Sequence, residues 1–512
     1  MKTEPSMISM GLKNVKISLV FNILTILLQF VSRKVFIEYM GLEIMGLNST
    51  AMNFLRFLNF AELGIVSGVR FMLYKPCHYH DRETINDILT LQGILYRHVS
   101  LFIAGCAIIL MCFFPMIFKG CDFPLWMAYA SFIILLAGSL IGNFFNYRQI
   151  MFGVTQTEYK ITTGVGIITY IKVLLQIAAM CILDEGYICW LSMETVFCVV
   201  TAVWVRNKTR KDFPFLKKVN KNLRTLISEY GILVVKVRQL FFHRIGSIVY
   251  TEILPIIIFA FISLEEVTIY GNYNAIFRGV SILCASTLAG VTAGIGDLIA
   301  GNDRERTYNV FHEIFAIRFV MAGVACLCLY TLSQPMIVLW LGKEFLLSDL
   351  SLFLMVLSLF ITLLRTTIDT FIQAAGLFQD IWATVVETIL NLGGAIVGGY
   401  LYGLNGILAG YRIGSVLILI FWKPLFLFRN SFHSSSTHYN LHLLKSLLIL
   451  AATTAVCLPV IRHLTIESSA SWIDFGIYSM TAGTTYLFVM STLTYLFDPY
   501  FKTMIKKIFR KI

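Results

Sequence analysis

The stretch FIEYMGLEIMGLNST, residues 36–50, recurs in altered form as FISLEEVTIYGNYNA, residues 261–275. The two stretches share Phe and Ile at their start and an Ile and a Gly further on, all at a spacing of 225 residues. Similarity at one long, fixed spacing is typical of a duplicated structural unit. These two stretches therefore predict that the chain contains one unit twice.

Three further pairs of short motifs follow in the same order and at nearly the same spacing. They are Asp81-Arg82-Glu83 with Asp303-Arg304-Glu305, Pro115-Met116-Ile117 with Pro335-Met336-Ile337, and Gln149, Gly153 and Gln156 with Gln373, Gly376 and Gln379. Their spacings lie between 220 and 224 residues. Four ordered matches make chance resemblance an unconvincing explanation and support a duplication.

The composition places both copies in a membrane. Of the 512 residues, 57% are hydrophobic and only 14% are charged, and the mean hydropathy is +0.77. A water-soluble domain could not hide so much apolar surface, so the solvent is lipid. Only helices and closed barrels satisfy their backbone polar groups in hydrocarbon, and continuous apolar runs favour helices.

A membrane-spanning helix needs about 20 mainly apolar residues. Fourteen such runs are predicted, at about 15–38, 48–73, 98–118, 125–147, 160–183, 187–205, 239–262, 267–293, 312–334, 350–375, 380–402, 405–428, 443–463 and 472–496. Because these runs use most of the chain, little is left for a globular domain outside the membrane. Any chemistry must therefore take place within the membrane.

The duplication organises these spans as six, six and two. We expect an N-terminal lobe at residues 1–225, a C-terminal lobe at 226–435, and two additional helices with a basic tail at 436–512. An even number of helices brings each unit back to the side where it began, so the repeats are parallel and related by an axis along the membrane normal. Two such lobes around a central cavity predict a transporter that alternates access between the two sides.

The distribution of basic residues predicts the orientation. With the N-terminus inside, the inner connectors hold about 26 Lys and Arg and the outer ones about 5, as the positive-inside rule requires. Both termini are therefore expected in the cytoplasm. The net charge of +12 comes largely from the loop at 206–224 and the tail at 502–511, and we attribute it to orientation and attraction to anionic membrane lipids rather than to nucleic acid.

Two other features are interpreted as structural. The first apolar run is long, carries Arg33 and Lys34 at its far end and lacks a small-residue cleavage pattern, so it predicts a retained helix rather than a signal peptide. The eleven cysteines are scattered without the spacing of a metal site. We expect no bound metal and no cofactor.

Two arginines lie deep in predicted spans, where a charge costs several kcal/mol unless it is paired or faces water. Arg56 lies about eight residues into the second span, near 12 Å deep at 1.5 Å per residue, and Asn53 and Asn59 share its side of the helix. Arg278 lies in the eighth span. Its helical face carries Tyr270, Asn274 and Ser281.

The repeat brings these two arginines into related positions. A spacing of 225 carries Arg56 to Ser281, one turn from Arg278, so the two should approach each other across the pseudo-axis. Arg33 or Lys34, at the outer end of the first span, breaks the positive-inside trend and is expected to face the same cavity. Several cations in a midplane cavity require an anion, and a planar guanidinium binds phosphate oxygens in a bidentate manner.

Other intramembrane charges leave alternatives open. Arg56 with Glu62, or Arg278 with Asp297, would form a structural ion pair instead of a binding site. Arg365 and Asp369 are i, i+4 partners of opposite sign and are predicted to neutralise each other. The remaining charges are candidates for coupling or gating with a proton or Na⁺, and together with Arg365 and Asp369 they are Lys172, Glu194, Glu252, Glu387 and Arg412.

Several short motifs, taken together, resemble a known family. They are Arg33-Lys34, Tyr39-Met40-Gly41-Leu42-Glu43, Met45-Gly46-Leu47, Ala61-Glu62-Leu63-Gly64-Ile65, the two Asp-Arg-Glu loops and Ile337-Val338-Leu339-Trp340-Leu341-Gly342. With the layout of six, six and two helices, the chain resembles polysaccharide flippases of the Wzx type, in the multidrug/oligosaccharidyl-lipid/polysaccharide (MOP) exporter superfamily.

The resemblance implies a V-shaped, two-lobed all-α fold like that of the MATE transporters in the bacterial inner membrane. The implied substrate is an undecaprenyl-diphosphate-linked oligosaccharide for O-antigen, capsule or exopolysaccharide, and other polysaccharide-assembly membrane proteins are implied as partners. The cationic cavity positions of related lipid-linked-precursor flippases map onto Arg33, Arg56 and Arg278. No ATP hydrolysis is implied, and the sequence has no GxxxxGK[ST] loop.

Two other functions compete with this interpretation. A drug or cation antiporter of the same superfamily would place acidic groups rather than arginines in the N-lobe cavity. A membrane-embedded sugar transferase or polymerase would need acidic catalytic residues, usually on a large outer loop, and the outer loops are short. The sequence thus favours a transporter that is not an enzyme.

Overall fold

The fold was determined as a computed structural model that describes residues 7–183, 186–231, 253–300, 303–375, 377, 380–463 and 471–509. Within these ranges the chain is almost entirely helical and contains no strand, which confirms the all-α class. The chain divides into two compact units, residues 1–268 and 269–512. The lobe boundary proposed at residue 225 stays a prediction.

Unit 1 contains seven long helices. They are α1 Met7–Met40, α2 Leu42–Leu58, α3 Leu63–His78, α4 Arg82–Cys112, α5 Leu125–Phe145, α6 Tyr159–Ile182 and α7 Gly186–Asp212. Helix α1 packs along α6, α6 packs on α7, and α5 contacts α2, α4 and α7. Residues 223–231 and 253–261 are also helical.

Unit 2 begins within helix α8, Leu264–Ala300, and is built around the long helix α9, Arg304–Trp340. The remaining helices are α10 Asp349–Ala374, α11 Ile381–Gly410, α12 at 413–432 with two π-helical segments, α13 Thr437–His463, α14 Trp472–Phe497 and α15 Pro499–Phe509. Helix α9 contacts α10, α13, α14 and α15. It is therefore the most enclosed helix of the unit.

Eight helical segments in the described part are long and apolar enough to cross a membrane. These segments overlap most of the predicted spans, so the structure confirms a multi-pass membrane protein. The predicted number of fourteen spans is compatible with this result and stays a prediction. One predicted span, 48–73, is wrong in detail, because a 3₁₀ turn at Asn59–Glu62 separates α2 from α3.

Polar side chains of α5 stabilise this break. Ser139 Oγ donates a hydrogen bond of 3.1 Å to Asn59 Oδ1, and Asn143 Nδ2 donates to the Glu62 carboxylate. A buried polar group without a partner would cost about 1–3 kcal/mol. The apolar residues around the break supported one continuous helix, whereas these contacts between distant parts of the chain were invisible in the sequence.

The predicted turn between the eleventh and twelfth spans is confirmed inside α11. Helical geometry breaks at Tyr402 and Gly403, and Gly403 has a φ of +57°, a left-handed conformation that glycine adopts without strain. The two arms then run back against each other. A Cβ on Gly398 would lie 2.1 Å from the carbonyl oxygen of Gly406, so the two backbones are in direct contact, as small residues permit in membranes.

We expect Gly398→Ala to lower the melting temperature of the purified protein in detergent, because its new methyl group collides with backbone that cannot rotate away. Overpacking of this kind costs about 1–3 kcal/mol. The matched control is Gly393→Ala on the same arm, where a Cβ meets no atom within 4 Å. Alanine favours a helix over glycine by up to ~1 kcal/mol, so the control should not lose stability. A Gly398→Ala protein that melts at or above the wild-type temperature would refute the close packing of the arms.

The duplicated motifs have the same structural role in both copies. Asp81 caps α4 by accepting a hydrogen bond from the Thr84 backbone N–H, and Asp303 caps α9 by accepting from the Arg306 backbone N–H. A side-chain acceptor at this position satisfies an otherwise unpaired backbone donor. The Thr84 side chain and backbone also hold the pKa of Asp81 below its usual range.

The helix starts correct the register of the repeat. Helix α2 begins at Leu42-Glu43 and α8 begins at Leu264-Glu265, a spacing of 222 that equals the spacing of the two capping aspartates. The pairing of Ile44 with Ile269 at a spacing of 225 is therefore wrong inside the helices. A connection that is three residues shorter before α8 accounts for the difference.

A compact polar cluster attaches the C-terminal helix α15 to unit 2. His312 Nδ1 lies 2.8 Å from His442 Nδ1, and His442 Nε2 lies 2.7 Å from Asp498 Oδ2. Lys507 Nζ reaches the Glu313 carboxylate at 2.6 Å. Burial raises the pKa of Asp498, but hydrogen bonds from His442 and from backbone N–H groups outweigh burial and leave the pKa below its usual range.

Candidate functional site

The two arginines selected from the sequence occupy the same position of the repeat. Arg56 is the fourteenth residue after the start of α2 at Leu42, and Arg278 is the fourteenth after the start of α8 at Leu264. Both side chains are exposed. The expected match of Arg56 with Ser281 is thus corrected by one turn, and the correction makes the two arginines direct equivalents.

Arg33 lies where three helices of unit 1 meet. Its Nη2 donates a hydrogen bond of 3.2 Å to the Thr268 carbonyl, and the Thr268 hydroxyl donates one of 3.0 Å to the Leu42 carbonyl. A Cβ on Gly46 would lie 2.3 Å from the Leu264 carbonyl oxygen. These contacts join α1, α2 and the start of α8 and hold Arg33 in place.

The neighbouring predicted residues differ in exposure. Lys34 and Asn274 are exposed, Ser281 is half-buried, and Asn53 and Tyr270 are each only 8% exposed. Asn59 is half-buried and bonded to Ser139. The exposed stripe on α8 therefore contains Asn274 and Arg278, one turn apart.

The alternative ion pairs can be examined in part. The Glu62 carboxylate accepts a hydrogen bond from Asn143. Within the described part of the chain, no carboxylate forms an ion pair with Arg278; the side chain of Asp297 and all of Glu252 lie outside the described residues. The expected approach of Arg56 to Arg278 involves both units and stays a prediction.

The charged residues suggested for coupling form two separate ion-pair groups. In unit 1, Lys172 Nζ lies 2.8 Å from Glu194 Oε1, and Gln176 Nε2 donates a 3.1 Å hydrogen bond to the same oxygen. A cavity of about 220 Å³ next to Lys172 and Glu194 is also lined by Asn146 and Thr169. This group is internally neutral.

The second group is a network in unit 2. Arg365 Nε lies 3.0 Å from Asp369 Oδ2, as the i, i+4 spacing predicted, and Arg365 Nη1 also pairs with Glu387. Lys423 Nζ bridges Asp369 at 3.0 Å and Asp380 at 3.2 Å. Two cations thus face three carboxylates, and Glu387, Asp380 and Lys423 are buried.

Sequence reasoning missed three of the charged groups that the fold brings into these regions. Lys423 and Asp380 lie near the ends of predicted spans, where charges are ordinarily assigned to the membrane surface. Arg318, six residues into the ninth predicted span, was the detectable signal, because a charge inside an apolar run requires a partner. It lines a cavity of unit 2 together with Ser281.

Comparison with known proteins identifies the fold. No family model matches the sequence, and no curated protein sequence matches it. Among solved structures, the chain is similar to "Lipid II flippase MurJ, inward closed conformation", with a TM-score of 0.67 and 15% identity over 93% of this chain and 98% of that chain.

Two MATE structures are also similar. An inward-facing multidrug resistance MATE family transporter of the MOP superfamily aligns with a TM-score of 0.57 and 13% identity over 78% of this chain and 94% of that chain. An outward-facing one aligns with a TM-score of 0.51 and 14% identity over 78% of this chain and 95% of that chain. The chain therefore has the fold of these membrane transporters.

Proposed function

We propose that this protein is a flippase that translocates an undecaprenyl-diphosphate-linked oligosaccharide across the bacterial inner membrane by alternating access, for surface polysaccharide biosynthesis. The observation that carries the proposal is the placement of exposed Arg56 and Arg278 at the same position of two duplicated helices. Arg33 supplies a third guanidinium in unit 1. The fold shared with a lipid II flippase and with MATE transporters supports the transport class.

The chemistry of the cations favours a phosphate-bearing substrate. A diphosphate carries its charge across about 30 Å of hydrocarbon, and guanidinium groups replace its hydration with fixed, bidentate donors. Arginine serves this purpose better than lysine, because its planar donors match two phosphate oxygens at once. We therefore assign Arg56, Arg278 and Arg33 to the diphosphate, with Lys34 beside them.

A drug or cation antiporter is the principal alternative, and the acidic residues of unit 1 argue against it. Glu62, Glu194 and Asp87 are already engaged by Asn143, Lys172 and Lys221 respectively. A cationic drug would have to displace one of these partners. The exposed charges at the repeated position are instead positive, which suits an anionic substrate.

Coupling to H⁺ or Na⁺ forms part of the proposal. The network around Arg365 has one carboxylate more than it has cations, and a proton or a monovalent cation would balance that charge. Movement of such an ion along its gradient would supply the free energy for export.

Deletion of the protein is expected to cause accumulation of one undecaprenyl-diphosphate-linked saccharide on the cytoplasmic leaflet, because synthesis continues while export stops. The accumulated lipid is identified by mass spectrometry after organic extraction. Resistance to cationic drugs should be unchanged. Loss of drug resistance without accumulation of any lipid-linked saccharide would instead favour the antiporter.

A further inference from the structure

Unit 2 contains a cavity of about 330 Å³ between α8, α9 and α10. This volume falls within the range of about 300–1,000 Å³ that is typical of small-molecule sites. Its polar lining consists of Ser281 on α8, Arg318 on α9, and Thr362, Thr366 and Thr370 on α10. None of the last four residues has a role in the diphosphate site.

Arg318 is a half-buried cation that lacks a partner in the described part of the chain. Its Nε is enclosed and makes no hydrogen bond there, and no described carboxylate pairs with its guanidinium. A charge enclosed by membrane helices is costly unless an anion or water compensates it. The cavity in front of Arg318 is therefore suited to an anionic group.

The three threonines constrain the ligand further. They lie at i, i+4 and i+8 on α10 and line one wall of the cavity. Each hydroxyl donates its proton to a carbonyl of its own helix: Thr362 to Ser358 at 2.9 Å, Thr366 to Leu363, and Thr370 to Thr366 at 2.6 Å. A hydroxyl has one proton, so in this arrangement the threonine oxygens can only accept.

This wall favours a ligand that brings hydrogen-bond donors. Thr362 already accepts a 3.4 Å hydrogen bond from Arg412 Nη1, which leaves the oxygens of Thr366 and Thr370 to accept from the ligand. A fully ionised phosphate presents only acceptors and would meet acceptors along this wall. A sugar supplies hydroxyl donors, and a carboxylated sugar also supplies an anion for Arg318.

We propose that this cavity binds a carboxylate-bearing sugar of the glycan headgroup, with Arg318 on the carboxylate and Thr366 and Thr370 accepting from ring hydroxyls. The proposal rests on the proposed flippase function and names the class of its substrate, an acidic oligosaccharide. Ser281 lines the cavity only three residues after Arg278 on α8. At 1.5 Å per residue the cavity wall begins about 5 Å along the helix from Arg278, where a sugar attached to the diphosphate would lie.

The test is ligand binding to the purified full-length protein in detergent, measured by saturation-transfer difference NMR with D-glucuronate as the probe. Glucuronate should receive saturation and D-glucose should receive far less, because glucose lacks the carboxylate. Arg318→Gln should weaken glucuronate binding about tenfold or more, as expected for loss of a charge-assisted hydrogen bond. The matched control is Arg304→Gln, an exposed arginine on the same helix outside the cavity, and it should bind as the wild type does.

A second variant keeps the test independent of Arg318. The double substitution Thr366→Val and Thr370→Val preserves the shape of both side chains and removes the two acceptors, so glucuronate binding should again weaken. Equal binding of glucose and glucuronate, unchanged binding in Arg318→Gln, or displacement of glucuronate by an equal concentration of inorganic phosphate would each overturn the proposal. Because no translocation is measured, these outcomes are separate from any failure of Arg56 and Arg278 to support export.

Discussion

Arg56→Gln and Arg278→Gln should each abolish export of the surface polysaccharide while the protein remains inserted in the membrane at normal levels. Each substitution removes a guanidinium from a phosphate contact that is shielded from water. Truncating one partner of such a charge pair costs about 2–5 kcal/mol, or roughly thirty- to several-thousand-fold in binding. The measurement is the amount of surface polymer, alongside immunoblotting of the membrane fraction.

Conservative and distant substitutions distinguish charge from geometry. Arg278→Lys retains the positive charge but loses the planar, bidentate donors, so partial export is expected. Arg304→Gln removes an exposed arginine near the start of α9 and should leave export unchanged. Normal polymer levels in both Arg56→Gln and Arg278→Gln would eliminate the diphosphate assignment.

Arg365→Met should strongly destabilise unit 2. Arg365 pairs with Asp369 and with the buried Glu387, and its loss leaves Lys423 as the one remaining cation among the three carboxylates of the network. Removing one partner of a buried ion pair costs about 3–5 kcal/mol, because the remaining charge is left uncompensated. We expect a lower melting temperature in detergent and reduced abundance in the membrane.

Restoring charge balance should reverse part of this loss. In Arg365→Met combined with Glu387→Gln, one carboxylate is neutralised together with the arginine that it faced, so the double variant should melt above Arg365→Met alone. A double variant that melts as low as Arg365→Met would show that the network does not act through charge balance. Retained stability in Arg365→Met together with loss of ion-driven transport would assign these residues to coupling alone.

Local and periodic features were predictable from the sequence. Long apolar runs specify membrane helices because lipid leaves the backbone few alternatives. The turn at Tyr402 and Gly403 lies between two predicted spans, and the pairing of Arg365 with Asp369 follows from one helical turn. In each case the partners are close in sequence.

Contacts between distant segments were not predictable in the same way. The break at Asn59–Glu62 depends on Ser139 and Asn143 from another helix, and Glu387 and Lys423 join the Arg365 network only through tertiary packing. The register error had another cause, since matching residues on both sides of a three-residue length difference produced a spacing of 225 where the helix starts give 222.

Binding of undecaprenyl diphosphate to the purified protein, measured by native mass spectrometry in detergent, tests most directly whether the repeated arginines hold the lipid diphosphate. Wild-type protein should retain one molecule of the lipid. Arg56→Gln and Arg278→Gln should each lose most of the bound fraction, and Arg304→Gln should not. Equal occupancy in the wild type and in both variants would contradict the assignment.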